Sequence, residues 1–368
     1  MELLSQLALV FTPGLGNTSI RKLIELFPDE DIFALPKNQL KETFGTHQEI
    51  LNCLLNKSAF ARAEEELRFC EKNHIRPLFF TDPDYPARLN SDETDDCPAL
   101  LYCLGAASLN PERSVAVVGT RRATAIGRDN TDCLVRELGP YSPLIVSGLA
   151  YGIDTAAHTA ALDHGLPTVA VLGHGLDRIY PASNRPLAKR ILENGGALVT
   201  EYPSGTAINP RLFPARNRII AALSDATVVI EASEKGGALI TAAIAASYHR
   251  EVFAVPGRLA DTYSKGTNNM IATNRALLVR SARDIAFQLG WPIEGNQLTI
   301  SEIETKKPLT KEERMVIERL KENDTLTLDE LSKLTNLSLA KTAAILFNLE
   351  LDDYIHTLPG HRYAVKNS

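Results

Sequence analysis

Two arginines flank an asparagine in Phe213-Pro214-Ala215-Arg216-Asn217-Arg218, just before the apolar pair Ile219-Ile220. A guanidinium is planar and permanently charged, and it grips a phosphate through two parallel N–H donors. Small residues and cations recur through the middle of the chain. They form Gly119-Thr120-Arg121 with Arg122, Ser147-Gly148, Gly173 to Gly175, Asn184-Arg185, and Lys235-Gly236-Gly237. Glycine lets a phosphate approach the backbone, and a helix N-terminus directs N–H groups and partial positive charge at it. The chemistry these types share is the holding of a polyanion.

Bond-making chemistry has thinner support. His158 lies four residues after Asp154. The pair reads first as a structural hydrogen-bonder and a helix cap, with a general base as the alternative. Glu231 ends an apolar run and reads as a tether for arginine or backbone N–H groups, with a general acid as the alternative. There is no GxSxG elbow and no Cys/His pair at a strand end. The dinucleotide fingerprint GxGxxG and the phosphate-loop pattern GxxxxGK[ST] are both missing, so no cofactor is expected. The five cysteines form no CxxC pair. They read as free thiols in a reducing cytoplasm, with no metal site. No run of residues is long and apolar enough for a bilayer, and the N-terminus lacks the basic start of a signal peptide.

The elements that must position these groups are legible. Residues 114–118, 144–146, 168–172, 197–200, 226–230 and 251–255 are short runs, apolar throughout, each followed by a glycine-rich or polar turn and helical periodicity. Uniformly apolar strands belong to a sheet covered on both faces, and their alternation with helices implies a parallel, doubly wound sheet. In such a sheet, ligands bind beyond the carboxyl ends of the strands, which is where the small residues and cations fall.

Around this core, 75–290, lie three other pieces. Residues 1–74 show helical periodicity (Leu3, Leu7, Val10; then Ile20, Leu23, Ile24, Phe27), and Thr12 to Asn17 resembles a helix-hairpin-helix turn. Residues 291–307 read as a linker. Residues 308–368 read as three helices closed by a hairpin at Pro359-Gly360, the pattern of a winged helix-turn-helix. Its recognition-helix candidate, Ser338 to Leu351, carries only Lys341 as a base, which favours a protein contact over duplex DNA. The net charge is −6, yet residues 105–290 carry 19 lysines and arginines against 15 aspartates and glutamates. An anionic partner should therefore bind in the middle.

The core also resembles a known family. Asp82-Pro-Asp-Tyr-Pro86, Val118 to Arg121, Ser147 to Asp154 with His158, Val171 to Asp177, Tyr180-Pro181, Glu201-Tyr-Pro203, Phe213 to Ile220, Gly237 to Ala242, Val255-Pro-Gly257 and Gly266-Thr-Asn268 follow one another as in the DprA/Smf family. The resemblance implies an extended Rossmann-like core, a small helical N-terminal domain of the SAM or helix-hairpin-helix kind, and a C-terminal winged helix. It implies a single-stranded-DNA-binding protein that is no enzyme. Such a protein protects incoming DNA and helps load the recombinase RecA during natural transformation. Carried over, Gly119, Thr120, Arg121, Ser147, Gly148, Arg216, Asn217, Arg218, Lys235 and Gly236 should line or surround the DNA site. Arg185 and Arg211 should add charge where the family's lysine after Tyr-Pro is replaced by Ala182. Met270, Ile271 and Leu278 should form a homodimer face. The alternative of another class is a LOG-like nucleotide phosphoribohydrolase. The comparable run here, Glu234 to Thr241, lacks that group's Pro-Gly-Gly and Gly-Thr pattern. A transcription regulator acting through the winged helix is the third reading.

Overall fold

A computed structural model describes residues 1–28, 30–45, 47–90, 96–292, 309–323, 325–351, 354–358 and 362–365. The chain divides into two compact units, Met1–Glu294 and Gly295–Ser368.

The first unit is built on a nine-stranded sheet. Its strands are β1 (Arg76–Phe79), β2 (Leu100–Gly105), β3 (Ser114–Val118), β4 (Leu144–Ser147), β5 (Thr168–Val171), β6 (Ala197–Thr200), β7 (Ala226–Val229), β8 (Glu251–Ala254) and β9 (Leu277–Leu278). Their spatial order is β1-β2-β6-β5-β4-β3-β7-β8-β9. Strands β3 to β9 are parallel throughout, and β2 joins β6 antiparallel with β1 antiparallel outside it. Every residue of β3 to β7 is buried, because helices cover both faces.

Alternate side chains feed two apolar layers. Val115, Val117, Ile145, Val228 and Phe253 pack with residues of α6 (Ala125–Glu137), α7 (Ile153–Asp163) and α12 (Ala282–Gln288). Ala116, Val118, Val146, Val169 and Val171 share a cluster with residues of α9 (Leu212–Ala222) and α10 (Gly237–Ser247). Helix α8 (Arg185–Glu193) packs beside β5 and β6, and α11 (Lys265–Ala272) beside β8.

Five helices precede the sheet: α1 (Leu3–Val10), α2 (Asn17–Leu26), α3 (Lys37–Phe44), α4 (Gln48–Asn56) and α5 (Phe60–Lys72). The sequence suggests a separate piece ending at residue 74. Instead, Leu7, Leu9 and Ile20 belong to the same apolar cluster as Leu78, Phe79 and Tyr102 of the antiparallel strands. The joint is also polar. Glu66 of α5 is 1% exposed and accepts from the Ser204 N–H at 2.8 Å and its hydroxyl at 2.6 Å. Arg62 pairs with Glu66 at 2.7 Å and donates to the Ser204 carbonyl at 2.9 Å.

The second unit contains α13 (Lys311–Glu322), β10 (Leu326–Thr327), α14 (Leu328–Thr335), α15 (Leu339–Leu351), β11 (Ile355–Leu358) and β12 (Arg362–Val365). The three strands form an antiparallel sheet in the order β10-β12-β11. Three helices closed by such a wing make a winged helix. Capping boxes at Thr310/Glu313 and Thr327/Glu330 start α13 and α14. On α15, Lys341 is engaged by Glu312, and Leu339, Ala340, Ala343, Ala344 and Phe347 are exposed. The Pro359-Gly360 turn and nearly all of the expected linker lie outside the described residues.

Candidate functional site

Strand order runs β3-β4-β5-β6 one way and β7-β8-β9 the other, so the topology reverses between β3 and β7. Connections leaving the two strands diverge there and leave a crevice at the carboxyl ends. A cavity of about 220 Å³ opens at that point. Its walls are Gly119, Thr120 and Arg121 after β3, Ala150 and Asp154 after β4, Phe213, Pro214, Arg216 and Asn217 from α9, and Gly236, Gly237, Ala238, Ile240 and Thr241 at the start of α10.

Short backbone bonds fix these walls. The Thr120 N–H donates to the Glu231 carbonyl at 2.8 Å, and the Ile153 N–H donates to the Thr120 carbonyl at 3.2 Å. Gly152 has φ +80°, and a Cβ there would overlap the Thr120 carbonyl, so only glycine lets the β3 and β4 turns cross. The Glu231 carboxylate accepts from the Thr124 N–H at 3.0 Å and its hydroxyl at 2.5 Å. Thr124 in turn caps α6 by accepting from the Gly127 N–H at 3.0 Å. Glu231 is therefore a backbone tether. Helix α10 starts at the crevice behind Gly236 with no side-chain cap, so its first N–H groups remain as donors for an anion.

The arginines divide by orientation. Arg121 is exposed, with its guanidinium carbon 5.5 Å from the centre of the Phe213 ring. Arg216 is 3% exposed and forms the crevice floor. It donates to the Gly148 carbonyl at 2.8 Å, to the Val171 carbonyl, and to Asn217 Oδ1 at 3.2 Å. Burial lowers its pKa to about 10 against the raising pull of Asp154. Burial likewise pushes the Asp154 carboxyl up from its ordinary value, and Arg216 with the Ala150 and Gly148 N–H groups pulls it back. Behind this pair, burial holds the His158 ring neutral with a pKa of about 3, and the Arg216 charge adds to the effect. Its Nδ1 lies 2.7 Å from Thr168 Oγ1. The Thr168 hydroxyl donates to the Ile145 carbonyl at 2.8 Å, so the ring N–H is the donor in the His158 bond. His158 is a structural hydrogen-bonder.

Of the residues the sequence singled out, the crevice brings together Gly119, Thr120, Arg121, Arg216, Asn217 and Gly236. Gly148 lies beneath, its Cα facing the Arg216 guanidinium too closely for any side chain. Arg185, at the first position of α8, and Arg211 and Lys235, on turns, are exposed at the same end of the sheet, without an ion-pair partner among the described residues.

Other placements differ from the sequence reading. Ser147 is fully buried and its hydroxyl donates to the Val117 carbonyl at 2.7 Å, so it faces the sheet. Arg218 turns away from the crevice. Its guanidinium makes two 2.6 Å bonds to the Glu201 carboxylate and a 2.9 Å bond to the Asp96 carbonyl. Residues two apart on a helix lie on opposite faces, so Arg216 and Arg218 point away from each other. Met270, expected on a dimer face, is 5% exposed and packs in the core of its own chain. Ile271 is half-buried, and Leu278, on the edge strand β9, is 43% exposed. Sequence reasoning missed Glu201 and the wall residues Pro214, Ile240 and Thr241. Glu201 stands in the Glu201-Tyr-Pro203 run, which does not reveal that its partner is Arg218, and an apolar wall reads as core.

A doubly wound core whose strand-end glycines line a crevice with Arg121 and Arg216 at the topological switch defines a Rossmann-like protein, here joined to a winged helix. The family model for DNA recombination-mediator protein A matches residues 76–290, and that for the DprA winged helix domain matches 303–361. The chain belongs to the DprA/Smf family. It is 34% identical over 326 residues to Protein Smf of Synechocystis, covering 80% of this chain and 81% of that one. It is 42% identical over 204 residues to DNA processing protein DprA of Streptococcus pneumoniae, covering 55% of this chain and 71% of that one. The X-ray structure of the pneumococcal protein superposes with a TM-score of 0.64 at 31% identity, covering 78% of this chain and 98% of that one. A Helicobacter pylori DprA structure, described for its single-stranded DNA binding mode, superposes at 0.52 with 31% identity, covering 58% of this chain and 95% of that one.

Proposed function

We propose that the crevice and the cations around it hold single-stranded DNA, with no covalent bond made or broken. The observation that carries this reading is a convergence at one end of a parallel sheet. Backbone N–H donors at the start of α10 gather there with Arg121, Arg185, Arg211 and Lys235, and none of these side chains has an ion-pair partner among the described residues. Backbone and guanidinium donors hold phosphates and read no base, so binding is indifferent to sequence. Arg121 over Phe213, with Tyr180 5.6 Å from the same ring, offers a surface for a base. The Helicobacter relative's described binding of single strands supports the same ligand.

In this role the protein works in the cytoplasm as a homodimer joined near Leu278, protects incoming strands, and helps load RecA during transformation. The sheet edge at β9, with Leu277 and Leu278 each 43% exposed, supports that pairing. A LOG-like hydrolase would need a free acid at the strand ends, and Glu231 is occupied in tethering Thr124. Among the described residues, no helix is long and apolar enough to cross a membrane.

The test is a titration of oligo-dT against duplex at several salt concentrations. Arg121→Ala and Lys235→Ala should each weaken single-strand binding by about 1–3 kcal/mol and reduce the salt slope by about 1. If both variants bind as the parent does, the site is elsewhere.

A further inference from the structure

The crevice does not end at Gly236. The turn that carries Lys235 is hydrogen-bonded to the long turn between β8 and α11. The Ala232 N–H donates to the Tyr263 carbonyl at 2.7 Å, and the Gly266 N–H donates to the Ala232 carbonyl at 2.9 Å. Gly266 is pressed so close that a Cβ there would lie 2.5 Å from the Ser233 carbonyl. The far side of the β8 turn is clamped as firmly. Asn268 donates to the Gly257 carbonyl at 2.9 Å and accepts from the Gly257 N–H at 3.1 Å. Two internal turn bonds, Asp261 to Arg258 at 3.1 Å and Ser264 to Asp261 at 3.0 Å, close the loop. Because β7 and β8 are parallel, this loop stands at the same end of the sheet as the crevice.

Its tip is unusual. Leu259 is 86% exposed, the most exposed of the large apolar side chains among the described residues. Arg258 beside it and Lys265 at the loop's end are exposed and, like Lys235, have no ion-pair partner among the described residues. The loop carries an exposed carboxylate of its own, Asp261, and Glu234 flanks Lys235. Neither is drawn into a pair with these cations. A fixed backbone that holds unpaired cations around a solvated apolar tip suits a chain alternating phosphates and bases. The cations take the phosphates, and an aliphatic wedge packs against or between bases.

We infer that the 256–265 loop is a second subsite for the same single strand, with Arg258 and Lys265 gripping its backbone and Leu259 set against its bases. The strand leaves the crevice over Lys235 and continues toward the β9 edge. This rests on the crevice reading above. A second copy of the chain docked on Leu259 would have to desolvate the neighbouring cations, whereas a polyanion neutralises them.

The experiment compares oligo-dT of about 4 nucleotides with oligo-dT of about 16, the range of common single-strand site sizes. It uses the full chain at several salt concentrations, with mass measured in solution. The three side chains are exposed, so the variants keep the parent's melting curve. In the Arg258→Ala/Lys265→Ala double variant, affinity for the long oligonucleotide should fall roughly 10- to 100-fold and the salt slope by about 1–2, with the short one bound as by the parent. Leu259→Ala should weaken the long oligonucleotide several-fold with no change of slope. Parent-like affinity for the long strand in both variants overturns the inference alone, as does an equal loss at both lengths. A change of solution mass in Leu259→Ala at unchanged DNA affinity also overturns it and assigns the loop to a second copy. A parent that binds neither oligonucleotide overturns the crevice reading first and this one with it.

Discussion

Exchanging Arg216 for methionine removes a charge on which the crevice floor depends, while keeping most of the volume. The guanidinium satisfies the carbonyls of Gly148 and Val171 and offsets Asp154, which is only 8% exposed. Hydrogen bonds from a charged donor are each worth about 1.5–3 kcal/mol, and removing one member of a buried charge pair costs about 3–5 kcal/mol. These terms overlap, because the stranded groups share one partner. The expected loss of stability is therefore about 3–5 kcal/mol, a large part of the roughly 5–15 kcal/mol of an ordinary domain. Urea unfolding followed through the one tryptophan, Trp291, whose ring centre is 6.0 Å from that of Tyr141, measures it. Adding Asp154→Asn removes the orphaned carboxylate, and the double variant should recover about 1 kcal/mol or more. At a temperature where Arg216→Met is folded, its oligo-dT affinity should suffer less than that of Arg121→Ala, since a side chain 3% exposed cannot reach a phosphate. A variant as stable as the parent that has lost DNA binding would refute the reasoning and put the guanidinium against the ligand.

Three further outcomes follow from the same geometry. His158 is held neutral in the folded chain, with a pKa of about 3, and returns to about 6.5 on unfolding, so the unfolded chain binds the extra proton. Its contribution to stability is complete above about 6.5 and is lost as the pH falls toward about 3. His158→Gln should flatten that decline when urea midpoints at pH 7 and 4.5 are compared, and parallel curves for parent and variant would show otherwise. Glu66→Ala strands the Ser204 N–H and hydroxyl and frees Arg62. It should cost about 2–3 kcal/mol and speed proteolysis between residues 201 and 211; an unchanged digestion pattern would contradict it. Lys341→Ala in the winged helix should leave duplex affinity within about 0.5 kcal/mol of the parent, because Glu312 already engages that lysine and α15 carries no other lysine or arginine. A tenfold loss would mean that α15 reads duplex DNA.

The parallel core was legible because a strand buried on both faces has no room for polar residues. The six apolar runs, from 114–118 to 251–255, correspond to β3 through β8. Of the two edges, the extended run from Arg76 to Thr81 contains β1, and the other was not legible. At two residues β9 is too short to show any period, and Leu100–Gly105, an apolar run after the Asp- and Pro-rich passage ending at Pro98, was not read as β2. Helix α3 was missed because only Leu40 and Phe44 mark its apolar face, whereas α4 carries Ile50, Leu51, Leu54 and Leu55 at helical spacing and was overlooked. The boundary expected at residue 74 did not anticipate that the early helices would complete the core of the antiparallel strands. At the site, residue type was readable and direction was not. Glycines and cations after the strands marked the right end of the sheet. Which arginine faces the crevice depends on helix phase and on Glu201, distant in sequence and pressed against Arg218 by the fold.

The nine-stranded sheet finishes differently at its two sides. On one, β1 packs with α5, includes Pro77, which has no N–H to offer, and ties Arg76 to Asp84 at 3.3 Å. On the other, β9 is two residues long and bears leucines open to water. Only the second invites another chain. A twofold contact there would consume the one hospitable border of each molecule, so growth would halt at a pair, and the blunted far side would keep a parallel-sheet protein from polymerising into fibres.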